Sequence, residues 1–255
     1  MIVLGLDTST PSTAVAVRLA DGRTTQARDD PPAGAHPGHA TRLLAMTHEL
    51  LAAAGIGWSQ IDRIAVGLGP GTFTGLRVGI ATARGVAQSL SIELVGVSSL
   101  RALALPVLTV GSEEGAEGES DALLAVADAR RGEVFAAAYQ TGNDTPMELL
   151  APRALAPAGL PGLLARAAPL NAEREHRWIA VGDGAVRFRA DLEPAGVTVP
   201  PDASPFHRVS AEVICQLAAG ADPAVALEQL LPDYRRRPDA EIALETVGTG
   251  GRAGG

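Results

Sequence analysis

Residues 67–77 read GLGPGTFTGLR and join a buried strand pattern, RIAVGLG, to a helical pattern, GLRVGIATARGVAQSL. Glycine, proline and threonine between a strand and a helix form a loop whose amides can point outward, with a helix N-terminus close behind. Such a loop favours an anion. It predicts either a phosphate cradle, intact or vestigial, or a structural turn in which Gly69, Gly71 and Gly75 permit positive φ.

Outward from this loop, hydrophobic periodicity predicts a first half of the chain with the order βββαβα. The first helix ends at Gly55, a residue typical of helix C-termini. The predicted strands lie at 2–7, 14–19, 23–29, 63–69 and 92–97, and the helices at 39–55 and 75–90.

The same order recurs after an acidic, glycine-rich stretch, 111–120, which we predict to be an exposed loop. The second half has strands at 121–128, 129–140, 147–150 and 178–182 and helices at 154–167 and 185–192, followed by a helical segment at 207–220. We therefore expect a first subdomain at 1–105 plus about 205–235, a second at 106–204, and a disordered tail at 240–255.

Composition excludes several functions. All 21 basic residues are arginine, so a P-loop, a protein kinase site and Schiff-base catalysis, which need a lysine, are excluded. A single cysteine indicates a reducing compartment, and the sequence shows neither a signal peptide nor a membrane-length apolar run. We expect a cytoplasmic protein without a membrane partner. Its net charge of −8 argues against direct nucleic-acid binding unless a partner supplies positive surface.

Two aspartates close the first strands of the two halves. Asp7, followed by Thr8 and Ser9, and Asp128, followed by Arg130 and Arg131, would hold a magnesium–nucleotide complex if both faced a cleft. Alternatively each caps a tight turn, and the arginines pair with Asp128; we favour these structural roles. The candidate vestigial nucleotide site comprises Asp7, Thr8, Ser9, Gly69, Gly71, Thr72, Thr74 and Gly75.

No catalytic residue or metal site is predicted. His36 and His39 lie in a loop, AHPGH, without an apparent third ligand. The chain lacks G-x-S-x-G, and Cys215 falls in an apolar helical run typical of a core position.

Small residues recur every four positions in the second helix, at Gly75, Gly79 and Ala83, and form a smooth groove. Gly79 inside a helix costs about 1 kcal/mol relative to alanine, so a closely approaching backbone should compensate. That neighbour is either the chain's own sheet or a helix of another subunit.

Several segments together resemble the TsaB family over about residues 1–237. They are LGLDTST, HATRLL, GLGPGTFTGLRVGIATARGVA, VGVSSL, DARRGEVFAAAY, VGDGA and LPDYRRR. The resemblance implies the fold of actin, sugar kinases and Hsp70-type ATPases, a ribonuclease H-like fold of two βββαβα halves. It also implies a role in forming N6-threonylcarbamoyladenosine at position 37 of tRNAs that read codons starting with A.

The resemblance further implies a non-catalytic subunit. The catalytic paralogue TsaD carries an H-x-x-x-H metal pair after the strand matching 92–97, where this chain has Ser99 and Leu103. TsaB-like proteins pair with TsaD through the first-half helices and recruit TsaE; these partners use ATP and a metal, and contact with tRNA is indirect. An isolated chain could form a homodimer instead. The expected interface is His39, Leu43, Met46, Leu50, Gly79, Ala83, Arg84 and Gln88, which makes the small-residue groove partner-facing.

A second function stays open at this point. The phosphate-like loop and the implied superfamily also fit a stand-alone ATP-binding, kinase-like enzyme or a peptidase-like hydrolase.

Overall fold

The computed structural model describes residues 1–32, 34–113, 122–140, 146–167, 178–224 and 226–235. Its first half forms a five-stranded sheet, flanked by three helices, and the strand order β3-β2-β1-β4-β5 leaves only the β1–β4 and β4–β5 pairs parallel. The elements are β1 (Val3–Asp7), β2 (Thr13–Arg18), β3 (Thr24–Asp29), α1 (His39–Ala53), β4 (Arg63–Gly69), α2 (Phe73–Leu90), β5 (Glu93–Ser98) and α3 (Ser99–Glu113).

The second half repeats this arrangement. Its sheet has the order β10-β9-β6-β7-β8, with the β6–β9 and β9–β10 pairs parallel. The elements are β6 (Ala122–Arg130), β7 (Glu133–Gln140), β8 (Met147–Leu155), α4 (Leu160–Arg166), β9 (Trp178–Val181), α5 (Asp183–Arg187), α6 (Arg189–Leu192), β10 (Val197–Thr198) and α7 (Ala211–Ala219). Two sheets with the same order confirm the predicted duplicated, actin-like fold.

The core has three apolar layers. One lies between the first sheet and α1 and α2, a second lies between the two sheets around α3 and α7, and a third lies between the second sheet and α4 to α6. Alternation along the strands assigns residues to these layers, since Leu4 faces α1 and α2 while Val3 faces α7.

Helix α7 approaches the first sheet closely because the residues beneath it are small. Ala14 and Ala16 belong to the middle layer, and a Cβ placed on Gly5 would lie 2.6 Å from both the Ala211 carbonyl oxygen and the Cys215 Sγ. Cys215 is buried, as its apolar run predicted, and burial raises its pKa to about 12. It therefore packs as an apolar group.

Several boundaries differ from the sequence prediction. Helix α3 was not predicted, and it includes residues 111–113 of the expected loop. The helix expected at 154–167 begins only at Leu160, because β8 extends to Leu155. The helix expected at 185–192 is split at Phe188, and the segment at 207–220 becomes helical at Ala211.

Three other expectations remain predictions. Most of the predicted loop at 111–120 and the whole predicted tail at 240–255 lie outside the described residues. The subdomain boundaries stay a prediction, although α7 packs on β1 and β2 of the first sheet. Among the described helices, none combines the length and the apolarity needed to cross a bilayer.

Candidate nucleotide cleft and partner surface

Asp7 lies buried at the end of β1 and is held by neutral donors. The backbone N–H and the hydroxyl of Ser9 donate to its Oδ1, at 3.0 and 2.9 Å, and the Ser99 hydroxyl donates to its Oδ2 at 3.2 Å. Burial raises the pKa of Asp7, and the hydrogen bonds from Ser9 and Ser99 oppose this rise only in part. The same Ser99 oxygen accepts the Gly69 N–H at 3.2 Å, which links the Asp7 turn to the glycine-rich loop.

Thr8 and Ser9, which follow Asp7, pack directly against the glycine-rich loop. The Thr72 N–H, a candidate phosphate donor, donates instead to the Ser9 carbonyl at 2.8 Å. The Thr8 hydroxyl donates to the Gly75 carbonyl at 2.7 Å. Seven of the eight predicted nucleotide-site residues are thus brought together, whereas the side chain of Thr74 is exposed. A nucleotide role for them stays a prediction.

The glycines of this loop are needed mainly for close approach. A Cβ on Gly75 would lie 2.0 Å from the Thr8 carbonyl oxygen, and one on Gly71 would lie 2.3 Å from that of Ser9. Only Gly69 has a positive φ, 95°. The expectation of positive φ at Gly71 and Gly75 is therefore wrong, since these two glycines make room for the Asp7 turn.

Asp128 is held differently, by arginines. It lies near the end of β6 with 7% of its side chain exposed, and its Oδ2 is 2.7 Å from Arg187 and 3.4 Å from Arg130. Its Oδ1 accepts the Arg130 N–H at 2.8 Å, as in a turn cap. Arg130 and Arg131 both adopt positive φ, 64° and 53°, in the tight β6–β7 turn.

Asp183, the first residue of α5, lies next to Asp128 and was not predicted as a site residue from the sequence. Its carboxylate accepts the Asp128 N–H at 2.9 Å, and burial, together with the nearby charge of Asp128, raises its pKa. The sequence signal for this contact was the pair of glycines that flank Asp183 in the segment VGDGA. Both glycines are needed for close packing, because a Cβ on Gly182 or Gly184 would lie within 3 Å of the backbone of β6.

Two of the histidines, His39 and His207, make structural contacts. His39 is buried at the start of α1, with its Nδ1 2.9 Å from the Thr13 hydroxyl, and burial lowers its pKa. The Nδ1 of His207 accepts the Gly182 N–H at 3.2 Å. His36 is exposed, and His176 lies outside the described residues. In the part of the chain that the structure describes, no three His, Cys, Asp or Glu side chains are grouped to share a metal ion.

Ser99 and Leu103, the two positions at which the family resemblance implies histidines in TsaD-like sequences, are core positions here. Ser99 is 1% exposed and hydrogen-bonded to Asp7. Leu103 is 2% exposed in the layer between the sheets, and its Cδ1 would lie 3.2 Å from a Cβ on Gly182.

Most of the predicted interface residues point into the chain itself. His39, Leu43, Met46, Leu50, Gly79 and Ala83 are buried. A Cβ on Gly79 would lie 2.3 Å from the Thr8 hydroxyl and 3.8 Å from Val66, so the small-residue groove faces the chain's own loop and sheet, not outward as expected. The two helices pack side by side. Their exposed residues include Gln88 of the predicted set together with Leu44, Ala45, His48, Ala81 and Gly85, which were not predicted.

Arg84 binds a segment that we call the strap, residues 226–235. Its guanidinium donates to the carbonyls of Glu228, at 3.0 Å, and Leu230. The strap then crosses the end of β4, where the Asp233 N–H donates to the Leu68 carbonyl at 2.8 Å. Arg84 therefore stabilises the chain's own strap, while Gln88 of the predicted interface is exposed.

Comparison with known proteins places this geometry in a family. Residues 31–182 match the family model described as TsaD, tRNA N6-adenosine threonylcarbamoyltransferase. The chain is 36% identical over 135 residues to the tRNA threonylcarbamoyladenosine biosynthesis protein TsaB of Haemophilus influenzae, covering 53% of this chain and 52% of that protein. The Escherichia coli protein of that name is 35% identical over 142 residues, or 55% of each chain. The chain thus spans about half the length of the curated relatives it matches.

Two solved structures match over most of the chain. A Pseudomonas aeruginosa protein described as similar to peptidase YEAZ has a TM-score of 0.73 and 32% identity, covering 92% of this chain and 99% of that one. YeaZ from Pseudomonas aeruginosa has a TM-score of 0.70 and 29% identity, covering 91% and 99%. With the duplicated sheets and the loop GLGPGTFTGLR, these matches show that the chain belongs to the TsaB (YeaZ-like) family.

Proposed function

We propose that this protein is a non-catalytic subunit in the biosynthesis of N6-threonylcarbamoyladenosine at position 37 of tRNAs that read codons starting with A. It pairs with a TsaD-like enzyme and recruits a TsaE-like ATPase, and these partners use the ATP and the metal. The names of the curated TsaB relatives support the pathway. The proposed location is the cytoplasm.

The observation that carries this proposal is that the cleft residues are hydrogen-bonded to one another or packed in the core. Asp7 binds Ser9 and Ser99, and the Thr72 amide binds the Ser9 carbonyl. Leu103 packs in the core at a position where the family resemblance would require a histidine for catalysis. Neither a core leucine nor a serine already bound to a carboxylate offers an imidazole to a metal. Groups that a catalytic site would need free to bind a substrate or a metal are therefore already bound within the folded chain.

The outer surface of α1 and α2 supports a partner role. Leu44 of α1 is 50% exposed. Gly85 of α2 is also exposed, and a Cβ placed on it would meet no atom of another described segment within 4 Å. The alanine and glycine residues on neighbouring turns have a small side chain or none, so helices of a second protein can approach this surface closely. We propose that the TsaD-like partner packs here, over the same helices predicted from the sequence but on their outward residues.

The test of this interface is Gly85→Trp. The bulky side chain would point into open space in the isolated chain and into the partner in the complex. We expect affinity for TsaD, measured by calorimetry, to fall about a hundredfold, the size of a strong interface substitution. The matched control is Gly162→Trp on α4, another exposed helical glycine with no neighbour within 4 Å. Equal pairing by wild type and Gly85→Trp would refute the interface.

A separate assay tests the non-catalytic role. In reconstitution with TsaD and TsaE, we expect tRNA modification to require this chain, and we expect the chain alone to leave ATP and tRNA unchanged. Turnover of ATP or formation of modified tRNA by the purified chain alone would contradict the proposal and favour the stand-alone enzyme.

A further inference from the structure

Two aromatic side chains lie together on the surface of a chain that has few aromatics. Of its eight aromatic residues, six are buried or half-buried, and the exposed two are Phe73 at 36% and Tyr234 at 41%. Their ring centroids are 5.2 Å apart with an interplanar angle of 32°. Exposed apolar groups that lie together, unlike single ones, mark a candidate binding surface.

An arginine joins the two rings. The guanidinium carbon of Arg77 lies 3.7 Å from the Phe73 ring centroid, and its Nε donates to the Tyr234 hydroxyl at 3.1 Å. Among the described residues, Arg77 forms no ion pair, so its charge remains available to a ligand. We call Phe73, Arg77 and Tyr234 the stacking platform.

The platform is held in place by the fold on both sides. Phe73 is the first residue of α2, and Tyr234 belongs to the strap, which is anchored next to it by the Asp233–Leu68 hydrogen bond. Arg235 pairs with Asp233 at 2.5 Å. Because the rings are already ordered, a ligand stacking on them loses little conformational freedom of the protein.

We infer that the stacking platform binds unpaired RNA bases, with Arg77 contacting a phosphate. Aromatic rings combined with arginine are how proteins bind single-stranded nucleic acid, because every base has a stacking face. The inference rests on the proposed function in taking a tRNA anticodon loop as the RNA. It revises the expectation drawn from the net charge of −8, since three consecutive arginines, 235–237, follow Tyr234 in the sequence.

The test measures binding of a fluorescein-labelled anticodon stem–loop to the full-length chain by anisotropy, at low ionic strength. We expect Phe73→Leu and Tyr234→Leu, which keep apolar bulk but remove the stacking face, each to weaken binding about tenfold. Arg77→Gln should also reduce the salt dependence, by about 0.7 in the slope of log K against log salt. Tyr234→Phe keeps the ring but removes the hydroxyl that accepts from Arg77, so it should bind more tightly than Tyr234→Leu. Met147→Ala, at an exposed apolar residue of the second sheet, is the control that should bind like wild type.

Affinity for TsaD is measured on the same variants. If the leucine variants bind RNA more weakly but bind TsaD like wild type, the RNA-binding platform is supported. This outcome does not depend on whether Gly85→Trp blocks pairing with TsaD. Three results overturn it: equal binding of the stem–loop and a blunt RNA duplex, leucine variants that bind RNA like wild type, or leucine variants that lose only TsaD. The last result would make the platform a protein-binding surface.

Discussion

Asp7 and Asp128 occupy equivalent places in the two halves, on the first strand of each sheet, yet the surroundings satisfy them in different ways. Asp7 is bound by two hydroxyls and an amide, all neutral. Asp128 is bound by Arg130 and Arg187, both about half exposed. The comparison shows that one topology accommodates a carboxylate either by hydrogen bonds inside the core or by ion pairs at its edge.

The difference has an energetic consequence. Neutral donors leave the desolvation of Asp7 partly uncompensated, and this raises its pKa. Partly exposed arginines contribute less than their charge suggests, because water and salt screen the pair. Substitutions around Asp7 should therefore cost more stability than substitutions around Asp128.

The largest expected effect is that of Gly75→Ala, which tests whether the loop must pack against the Asp7 turn. The new methyl would lie 2.0 Å from the Thr8 carbonyl oxygen, a backbone atom. We expect a loss of about 3 kcal/mol in the free energy of unfolding, measured by urea denaturation. Gly85→Ala in the same helix meets nothing and should gain up to about 1 kcal/mol. Similar changes in both variants would show that the loop has room to relax.

Next in size is Ser99→Ala, which removes the link between Asp7 and the Gly69 N–H. Two buried polar groups lose a partner, so we expect a loss of about 2 kcal/mol. Thermal and urea denaturation measure it, with Ser89→Ala, an exposed position on α2, as the control expected within about 0.5 kcal/mol of wild type. An unchanged midpoint for Ser99→Ala would mean that Asp7 does not depend on this hydroxyl.

The pH dependence of stability tests the buried environment of Asp7. Because the folded pKa of Asp7 is raised above 3.8, the folded protein holds the proton more tightly, and stability falls as pH rises from 3.8 through that folded value. Asp7→Asn should remove this component from urea unfolding measured between mildly acidic and neutral pH. Asp21→Asn is the control: hydrogen bonds from Arg23 lower the pKa of Asp21, so its contribution is lost only as pH falls below 3.8, and this variant should keep the wild-type profile over the measured range. Identical pH profiles for wild type and Asp7→Asn would contradict the assignment.

The smallest expected effect is that of Arg187→Gln. Arg187 is 49% exposed, and Arg130 still contacts Asp128 when it is removed, so we expect a loss of about 0.5 kcal/mol that shrinks at high salt. Urea denaturation at two salt concentrations measures it. A loss of about 3 kcal/mol would instead indicate that Asp128 behaves as a buried, uncompensated charge, and the contrast with Asp7 would disappear.

Local pattern was enough to predict the duplicated βββαβα order. Hydrophobic alternation defined the strands, and glycine at the helix end defined the end of α1. Helix α3 escaped prediction because it contains Pro106 and is apolar on most sides, so it lacks the amphipathic period of a surface helix. Lying between two sheets, it needs no polar face.

The candidate site was predicted as a set of residues but not as an arrangement. The sequence identified the glycines at positions 71, 75 and 79 as sites of close approach or special backbone. It did not show that Thr8 and Ser9 fill the space beside them, because those residues are separated from the loop by about sixty positions. Likewise the helical period defined two faces of α2, but only the neighbouring sheet decides which face is outside.

The sequence by itself determined the order of elements, the exclusion of lysine chemistry and the two aspartates that close the first strands of the halves, because these depend on local periodicity and side-chain chemistry. Tertiary structure decided that the Asp7 turn occupies the glycine-rich loop, that the small-residue groove faces inward, and that Phe73 meets Tyr234 on the surface. Each of these joins segments far apart in the chain, and such contacts depend on how the sheets and helices pack, which no local pattern encodes.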